Sequence, residues 1–307
     1  MTGGAGFIGS HLIDALMNSG KTVLCADTLE TGSNENVQHW IGNARFRFIR
    51  TDVADKLTVK GIESIYHLAS RASPAQYQAD PIRTLRTNVL GTLNMCDLAI
   101  RCGARLLLAS TSEVYGDPQV HPQSETYWGN VNPVGPRSCY DEGKRAAETV
   151  CMDYSRQHNL DVRIGRIFNT YGPRMGFDDG RVVSNFITQC LKGERLTIYG
   201  DGSQTRSFCY VSDLVRGLIA LMDSDVRGPV NLGNPEEFSI RDLATQVSDL
   251  VGVEPRFVNR DLPTDDPTRR RPDISRAKSL LGWSPEISLK DGLSRTIAEF
   301  RSRMDTM

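Results

Sequence analysis

The sequence predicts an α/β fold in which a doubly wound parallel sheet is joined to a smaller carboxy-terminal lobe. Three observations support this prediction. A glycine-rich loop, MTGGAGFIGS, leads into an amphipathic run, HLIDALMNSG. Apolar, β-prone segments then alternate with helical segments through the first half of the chain. The length of 307 residues leaves room for one large domain with an appendage.

The glycine loop is the first element. Gly3, Gly6 and Gly9 form a G-x-x-G-x-x-G pattern before the predicted helix, and such a loop brings backbone N–H groups close to a pyrophosphate at the helix N-terminus. A glycine triplet alone also fits a plain tight turn. The next strand, KTVLCAD, ends in Asp27, an acid placed to bind adenosine ribose hydroxyls and to disfavour a 2′-phosphate. The pattern therefore predicts a Rossmann-type domain that binds NAD.

The strand expected before the glycine loop is nearly absent, because only Met1 and Thr2 precede it. In a doubly wound sheet the first strand is central and paired on both sides. We therefore expect the first strand to be truncated and the natural chain to carry a short β-strand before Met1.

The remaining strands and helices follow in order. Five segments of the first half have strand character: KTVLCAD, RFRFIR, IESIYHLAS, ARLLLAST and LDVRIGRIFN. After Asn169 the alternation of strands and helices becomes less regular. We predict a helix near 182–192, a strand LTIYG and a turn DGSQ. CYVSDLVRGLIALM is helical, PVNLG is strand-like, and two or three helices follow near 239–252, 273–281 and 289–304. These boundaries predict a Rossmann domain over 1–168 that also takes in 209–234, and a second lobe over 169–208 and 235–307.

Composition excludes several classes of partner. Lys and Arg total 36 against 37 for Asp and Glu, which argues against nucleic acid and anionic membranes. No apolar run reaches the roughly 20 residues that span a bilayer, so no membrane partner is expected for the chain as given. Seven scattered cysteines and five histidines lack metal-ligand spacing. We expect no metal site and a reducing, cytoplasmic location.

A candidate catalytic constellation lies in the middle of the chain. LLLASTSEVYGDP places Thr111, Ser112 and Glu113 just beyond a predicted strand, at the sheet edge where open α/β folds bind ligands. CYDEGKRAAE sets Tyr140 and Lys144 on one helix face. A nearby lysine lowers the pKa of a phenol, so Tyr140 is a candidate base near neutral pH. Y-x-x-x-K alone is common on surface helices, but with the glycine loop and Asp27 it indicates a dehydrogenase-type site.

These motifs together resemble the extended short-chain dehydrogenase/reductase superfamily, whose members act on nucleotide sugars. The resemblance extends over nearly the whole chain to the UDP-glucuronate decarboxylase (UDP-xylose synthase) family. It rests on the stretches HPQSETYWGNVNPVGPRSCYDEGKR, RIFNTYGPRM, DGRVVSNFI, LTIYGDGSQTRSFCYVSDL, VNLGNPEEF and RRRPDISRAKSLLGW.

The resemblance implies a reaction at C4 and C5 of the sugar of UDP-glucuronate. Tyr140 takes the C4 hydroxyl proton as NAD takes the C4 hydride. The carboxylate is then β to a ketone and leaves as CO2, and Thr111 helps to stabilise the resulting enolate. Protonation at C5 and return of the hydride give UDP-xylose, with Glu113 and Arg270 assisting decarboxylation and proton delivery.

The resemblance also implies the residues of each subsite. The catalytic set is Tyr140, Lys144, Thr111, Glu113 and Arg270. The NAD site comprises Gly3, Gly6, Phe7, Ile8, Gly9, Asp27, Thr31, Gly32, Asp52, Val53, Leu68, Ser70, Thr87, Tyr140, Lys144, Thr170 and Arg181. The UDP-sugar site comprises Ser112, Tyr154, Asn169, Val183, Tyr199, Gln204 and Arg206.

Several alternatives stay open at this point. Sugar 4,6-dehydratases carry an aspartate where Ser112 stands, and 4-epimerases commonly carry a small neutral residue where Glu113 stands, so both fit less well. A variant that releases UDP-4-keto-pentose and NADH, or a silent NAD-binding sensor, would share these motifs. Arg71 in HLASRASP replaces the family's proline beside the site, and we consider it as a contact of the glucuronate carboxylate.

The family also implies two expectations about assembly and location. Relatives dimerise through two long helices, which here correspond to residues 81–102 and 137–159, so a homodimer is expected. Some relatives carry an amino-terminal membrane anchor in the secretory pathway, and a form extended upstream of Met1 could do the same.

Overall fold

A computed structural model describes residues 1–267 and 269–306. Its helices are α1 (Phe7–Asn18), α2 (Pro74–Ala79), α3 (Pro81–Cys102), α4 (Ser138–His158), α5 (Val182–Leu191), α6 (Val211–Asp223), α7 (Ile240–Val251), α8 (Ser275–Leu281) and α9 (Leu289–Asp305). Its strands are β1 (Val23–Asp27), β2 (Phe46–Arg50), β3 (Ser64–His67), β4 (Arg105–Thr111), β5 (Val162–Ile167), β6 (Thr170–Tyr171), β7 (Leu196–Tyr199), β8 (Thr205–Ser207), β9 (Cys209–Tyr210), β10 (Pro229–Leu232), β11 (Glu237–Ser239), β12 (Phe257–Arg260) and β13 (Arg269–Arg270).

The main sheet is parallel throughout. Strand β2 pairs with β1, and β3, β4, β5 and β10 pair in that order. Thr2 bridges the two groups by pairing with Ala26 of β1 and His67 of β3. The sheet therefore runs β2, β1, the Thr2 segment, β3, β4, β5 and β10, the arrangement of a doubly wound fold, and the predicted fold class is confirmed.

The backbone around Thr2 occupies the centre of this sheet. The Thr2 N–H donates to Tyr66 O (3.0 Å), the Gly3 N–H donates to Ala26 O (2.9 Å), and the Leu68 N–H donates to Thr2 O (3.1 Å). These bonds place the glycine loop directly beyond a central position of the sheet. The expectation of further strand residues upstream of Met1 stays a prediction.

Side chains that alternate between the two faces along β4 explain how the sheet is covered on both sides. Leu106 and Leu108 belong to a buried cluster formed with α3 and α4, whereas Leu107 belongs to the cluster that includes α6 and the second lobe. Successive side chains of a strand point to opposite faces. The apolar run RLLLAST therefore belongs to a strand buried on both sides.

The carboxy-terminal half contributes smaller sheets. Strand β8 lies between β11, which is antiparallel to it, and β13, which is parallel to it, and β7 pairs with β12. The predicted helices near 182–192, 239–252, 273–281 and 289–304 are observed as α5, α7, α8 and α9. Strand β10 joins the main sheet, but the exact division into two domains stays a prediction. In the part of the chain described here, no helix is long and apolar enough to cross a membrane.

Candidate active site

One cavity of about 1020 Å³ opens beyond the carboxyl ends of the main-sheet strands. It is lined by the glycine loop, by the ends of β1 and β4, by the first turns of α4 and α5, and by parts of β8 and β13. Every residue predicted for the catalytic, NAD and UDP-sugar sites lines it except Tyr154. The two lobes thus contribute to a single site.

The glycine loop forms a tight cradle at one end of the cavity. Helix α1 begins at Phe7, and its N-cap residue Gly6 supplies no capping side chain. A Cβ at Gly9 would lie 2.2 Å from the Gly3 carbonyl oxygen, and Gly3 itself has a φ of +67°. Glycine is therefore required at both positions. The uncapped N-terminus of α1 fits a pyrophosphate group.

Asp27 is fixed by backbone donors at the end of β1. Its Oδ2 accepts from the Ala5 N–H (2.9 Å) and its Oδ1 accepts from the Leu29 N–H (2.8 Å). Burial raises the pKa of its carboxyl group, while the hydrogen bonds from Leu29 and Ala5 act in the opposite direction. Each carboxylate oxygen keeps a second lone pair, so Asp27 is oriented and able to accept from ribose hydroxyls.

Tyr140 and Lys144 enter the cavity from the first turns of α4. Burial raises the pKa of Tyr140 above its ordinary value, and a hydrogen bond with the Thr111 side chain lowers it in part. Burial lowers the pKa of Lys144 to about 8, and its Nζ donates to the Ala109 carbonyl at 2.9 Å. In the structure, therefore, Thr111 rather than Lys144 is the polar partner that favours the Tyr140 phenolate.

Glu113 lies between two guanidinium groups. Arg270 donates to Glu113 Oε1 (3.1 Å) and Oε2 (3.3 Å), and Arg137 donates to Oε2 (2.7 Å). Burial would raise the pKa of Glu113, but Arg270 and Arg137 outweigh it and lower the pKa to about 2. Arg270, which is 2% exposed, also donates to Ser112 Oγ (2.8 Å). The structure thus joins predicted residues separated by more than half the chain.

The cavity is also lined by residues predicted for the UDP-sugar site: Asn169, Val183, Tyr199, Gln204 and Arg206. The Gln204 side chain donates to the Tyr199 carbonyl (2.8 Å).

Arg206 is held by acceptors from a neighbouring segment. It donates to Asp266 Oδ2 (2.9 Å) and to the Pro267 carbonyl. Arg137 donates to the other oxygen of the same Asp266 carboxylate (3.2 Å). The Asp266 carboxylate therefore connects Arg206 with Arg137, the arginine beside Glu113.

Sequence reasoning missed two residues of this site. Arg137 precedes Tyr140 by one helical turn, and that spacing was the only available signal. The ring of Tyr77 stacks on that of Tyr140 with centroids 5.0 Å apart and an angle of 3° between the planes. Tyr77 comes from α2, and no local pattern in the sequence connects it with Tyr140.

Two other residues lie elsewhere than the sequence suggested. Tyr154 points from α4 towards α3, where its hydroxyl donates to Asp97 (2.7 Å), so the structure does not bring it into the cavity. Arg71 lines the cavity, but its guanidinium donates to Glu30 Oε2 (2.9 Å). Because Glu30 follows β1, Arg71 lies at the adenosine end rather than beside Glu113.

Comparisons with known proteins agree with this geometry. The model of the NAD dependent epimerase/dehydratase family matches residues 1–233. UDP-glucuronic acid decarboxylase 1 of Xenopus tropicalis is 59% identical over 305 residues, covering 99% of this chain and 72% of the frog protein. UDP-glucuronic acid decarboxylase 6 of Arabidopsis thaliana is 58% identical over 305 residues, covering 99% of this chain and 89% of the plant protein.

Solved structures with the same fold are more distant in sequence. UDP-glucose 4-epimerase of Thermotoga maritima superposes with a TM-score of 0.90 at 30% identity, covering 99% of this chain and 98% of that one. UDP-glucuronic acid 4-epimerase of Bacillus cereus, solved with UDP-glucuronic acid and NAD, gives 0.88 at 30% identity, with 98% of each chain covered. Because identity to the decarboxylases is about twice as high over the same length, the chain belongs to the NAD dependent epimerase/dehydratase family and, within it, to the UDP-glucuronic acid decarboxylases.

Proposed function

We propose that the chain decarboxylates UDP-glucuronate to UDP-xylose and CO2 by C4 oxidation, loss of the carboxylate and C4 reduction, with NAD recycled in each turnover. The observation that carries the proposal is the Glu113–Arg270 pair, which lines the same cavity as Tyr140, Lys144 and Thr111. Tyrosine and lysine suffice for chemistry at C4. The ionised glutamate and its arginines supply charge for the chemistry at C5.

The residues of the adenosine and pyrophosphate end fit NAD. The Gly3–Gly9 cradle leaves no room for a Cβ and surrounds the N-terminus of α1, and Asp27 is oriented to accept from ribose hydroxyls. Lys144 would hold the nicotinamide ribose by exchanging its bond to Ala109. When bound, NAD would supply the hydride acceptor and, later, the hydride donor for C4 of the sugar.

Tyr140 acts as the base at C4. Its phenolate accepts the C4 hydroxyl proton, and passage of the C4 hydride to the cofactor would complete the oxidation of C4 to a ketone. The raised pKa of the buried phenol opposes this step, and Thr111 and Arg181 favour it by lowering the pKa of Tyr140 in part. Tyr140 returns the proton to the C4 oxygen at the end of the cycle.

The arginine pair governs the step at C5. The C5–carboxylate bond breaks, CO2 leaves, and the bonding electrons move to the C4 oxygen as an enolate, where Tyr140 and Thr111 donate hydrogen bonds. Because its pKa is about 2, Glu113 is ionised at neutral pH and is not the immediate proton source for C5. We assign it instead to orient Arg270. The proton that C5 gains is drawn from solvent water, which leaves hydroxide in solution, so each turnover consumes one proton for each CO2 released.

Product analysis tests the proposal. Purified protein is mixed with UDP-glucuronate, with and without added NAD, while products are followed by NMR and reduced nicotinamide by absorbance. UDP-xylose and CO2 without net NADH are expected. UDP-4-keto-pentose with stoichiometric NADH would show instead the variant that releases the intermediate. UDP-galacturonate would show an epimerase. If the folded protein binds NAD but turns over no substrate, the sensor hypothesis replaces the proposal.

We also propose that the chain forms a homodimer through α3 and α4. Four large apolar side chains of α3 are exposed in the single chain: Ile82 (69%), Leu85 (40%), Leu90 (36%) and Ile100 (42%). Burying such side chains favours association. Analytical ultracentrifugation should give a dimer for the native chain and a shift towards monomer for Ile82→Glu, with Val134→Glu, at another exposed position, as the matched control. A native monomer at micromolar concentration would contradict this.

A further inference from the structure

A second acidic side chain lies one helical turn beyond Lys144, on the same face of α4. Glu148, whose side chain is 13% exposed, accepts from Ser110 Oγ at 2.5 Å. It also accepts from Arg166 Nε (2.9 Å) and Nη2 (2.7 Å), a bidentate geometry that fixes both side chains. Arg166 is 12% exposed, so the pair is largely removed from water.

Two successive turns of α4 are therefore tied to two successive residues of β4. Lys144 donates to the Ala109 carbonyl, and Glu148 accepts from the Ser110 hydroxyl. The next residue of β4 is Thr111, the partner of Tyr140. A slide of α4 along β4 that moved Tyr140 away from Thr111 would also have to break both of these hydrogen bonds.

Arg166 extends the connection across the sheet. Its Nη1 donates to the Tyr115 hydroxyl (2.9 Å), which donates to Asn231 Oδ1 (2.8 Å) on β10. Asn231 Nδ2 in turn donates to the Gln123 carbonyl (2.9 Å).

Gln123 brings the chain of bonds to the segment that carries Arg270. Its backbone N–H donates to the Arg271 carbonyl (2.9 Å), and its side-chain oxygen accepts from the Arg271 N–H (2.8 Å). Gln123 is fully buried. A continuous polar chain thus runs from the helix of Lys144 to the residue beside Arg270.

We propose that Glu148 is a positioning residue, which through Ser110 and Arg166 holds Tyr140 and Lys144 in register with Thr111 and connects them to the Arg270 segment. The inference rests on the proposed function for its kinetic consequences. A buried ion pair adds little net stability over apolar packing, but it fixes one arrangement of the elements that it joins. That property suits a site assembled from α4, β4 and β13.

The charge of Glu148 also acts on Lys144. Burial lowers the pKa of Lys144, whereas Cys151 and Glu148, both on α4, raise it; His67 on β3 also faces it and is itself neutral, because burial lowers its pKa to about 3. Replacing Glu148 by glutamine keeps the shape and removes the charge. Lys144 then loses its proton at a lower pH.

Three variants test the proposal: Ser110→Ala, Glu148→Gln, and the double variant Glu148→Gln/Arg166→Gln. Ser110→Ala leaves the ion pair intact, and we expect it to lower kcat about 10-fold with KM changed less than about twofold, since small misplacement of reacting groups mainly affects kcat. Glu148→Gln should in addition move the alkaline limb of the kcat profile to lower pH. The double variant leaves no unpaired arginine, so its alkaline limb should lie between those of Glu148→Gln and the native chain. Thr245→Ala, at an exposed position of α7, is the matched control, because its hydroxyl makes only the local bond to the Arg241 carbonyl.

Calorimetric titration with NAD alone gives a readout that does not depend on turnover. If Lys144 contacts the cofactor as a cation, the pH above which NAD affinity falls should be lower in Glu148→Gln than in the native chain. Unchanged kcat and unchanged pH limbs in Ser110→Ala and Glu148→Gln, with native melting temperatures, would overturn the positioning role. If Glu148→Gln does not fold, Ser110→Ala and the double variant decide. A native chain that binds NAD but releases no CO2 would overturn the proposed function, and the titration would still test Glu148.

Discussion

Glu113 keeps a negative charge inside the cavity because two guanidinium groups surround it. Its carboxyl group belongs to the class whose folded pKa lies below the unfolded value, since Arg270 and Arg137 hold it at about 2 against an ordinary value of 4.5. Its contribution to stability is therefore complete above pH 4.5 and is lost as the pH falls towards 2. The same charge that suits the chemistry at C5 also connects β4 to β13.

Glu113→Gln tests the effect of this charge on catalysis and, separately, its effect on stability. We expect kcat to fall at least about 100-fold, because Arg270 loses its orienting partner, and reduced nicotinamide to accumulate since C4 oxidation needs no carboxylate at this position. The free energy of unfolding, compared with that of the native chain by urea titration, should be lower at pH 7 and should converge with it between pH 4.5 and 2. Equal kcat, or a difference in stability that does not change with pH, would contradict this account.

Lys144 shows the opposite relation between function and stability. Its folded pKa of about 8 lies below the ordinary 10.5, so between these values the unfolded chain binds more protons and the stability rises with pH. At pH 7 the buried ammonium therefore costs stability. Lys144→Met should abolish turnover yet raise the free energy of unfolding by about 1–3 kcal/mol at pH 7, with a smaller gain at pH 10. A less stable, inactive variant would show that the bond to Ala109 outweighs the burial.

At the scale of elements, the turn between the glycine loop and α1 is tightly constrained. A Cβ at Gly9 would meet the backbone at Gly3 and Gly4, and backbone atoms at the start of a helix cannot move aside as a flexible side chain can. At Gly176, by contrast, the nearest atoms to an added Cβ are 3.6 Å away or more.

Gly9→Ala should therefore weaken NAD binding. We expect the NAD dissociation constant, measured by calorimetry, to rise at least about 10-fold because the cradle must open to admit the methyl group. Gly176→Ala is the control for loss of glycine flexibility and should fold normally. Native NAD affinity in Gly9→Ala would mean that the loop rearranges without cost.

The loop that carries Arg71 makes a different kind of contact. The Arg71–Glu30 pair joins the loops after β3 and β1 on either side of the adenosine end, with side chains 17% and 32% exposed. Partly exposed pairs contribute modestly. We expect Arg71→Pro to increase the rate of NAD release about two- to fivefold at low salt, and to have no effect at high salt, where the pair is screened. Stopped-flow displacement of NAD measures both rates; a salt-independent change would point to loop geometry instead.

At the scale of the whole molecule, the sequence predicts the structure best where the apolar pattern repeats over many residues. The five strands of the first half and helices α4, α5, α7 and α9 follow from apolar patterning. The glycine loop and Asp27 line one cavity, as their motif predicts, and their role in NAD binding stays a prediction. Strands β8, β11 and β13 have only two or three residues each, too few to show an alternating apolar pattern. Tyr154 was assigned to the site although it is four turns along α4 from Tyr140, a distance of roughly 20 Å at 1.5 Å per residue.

Because both lobes line one cavity, ligands should stabilise the chain as a unit. NAD at about 100 times its dissociation constant should add about 2.7 kcal/mol to the free energy of unfolding. Differential scanning fluorimetry should then show one transition that moves upward by several degrees with NAD, and further with UDP. Two transitions, of which only one responds to NAD, would show that the lobes unfold independently.

The pairing of β13 with β8 sets Arg270 directly opposite Arg206. Neighbouring strands lie about 4.8 Å apart, so main-chain pairing holds the backbones of Arg206 and Arg270 at a fixed separation. A shift of either strand would therefore carry the other with it, which ties the part of the cavity lined by Arg206 to the part beside Glu113.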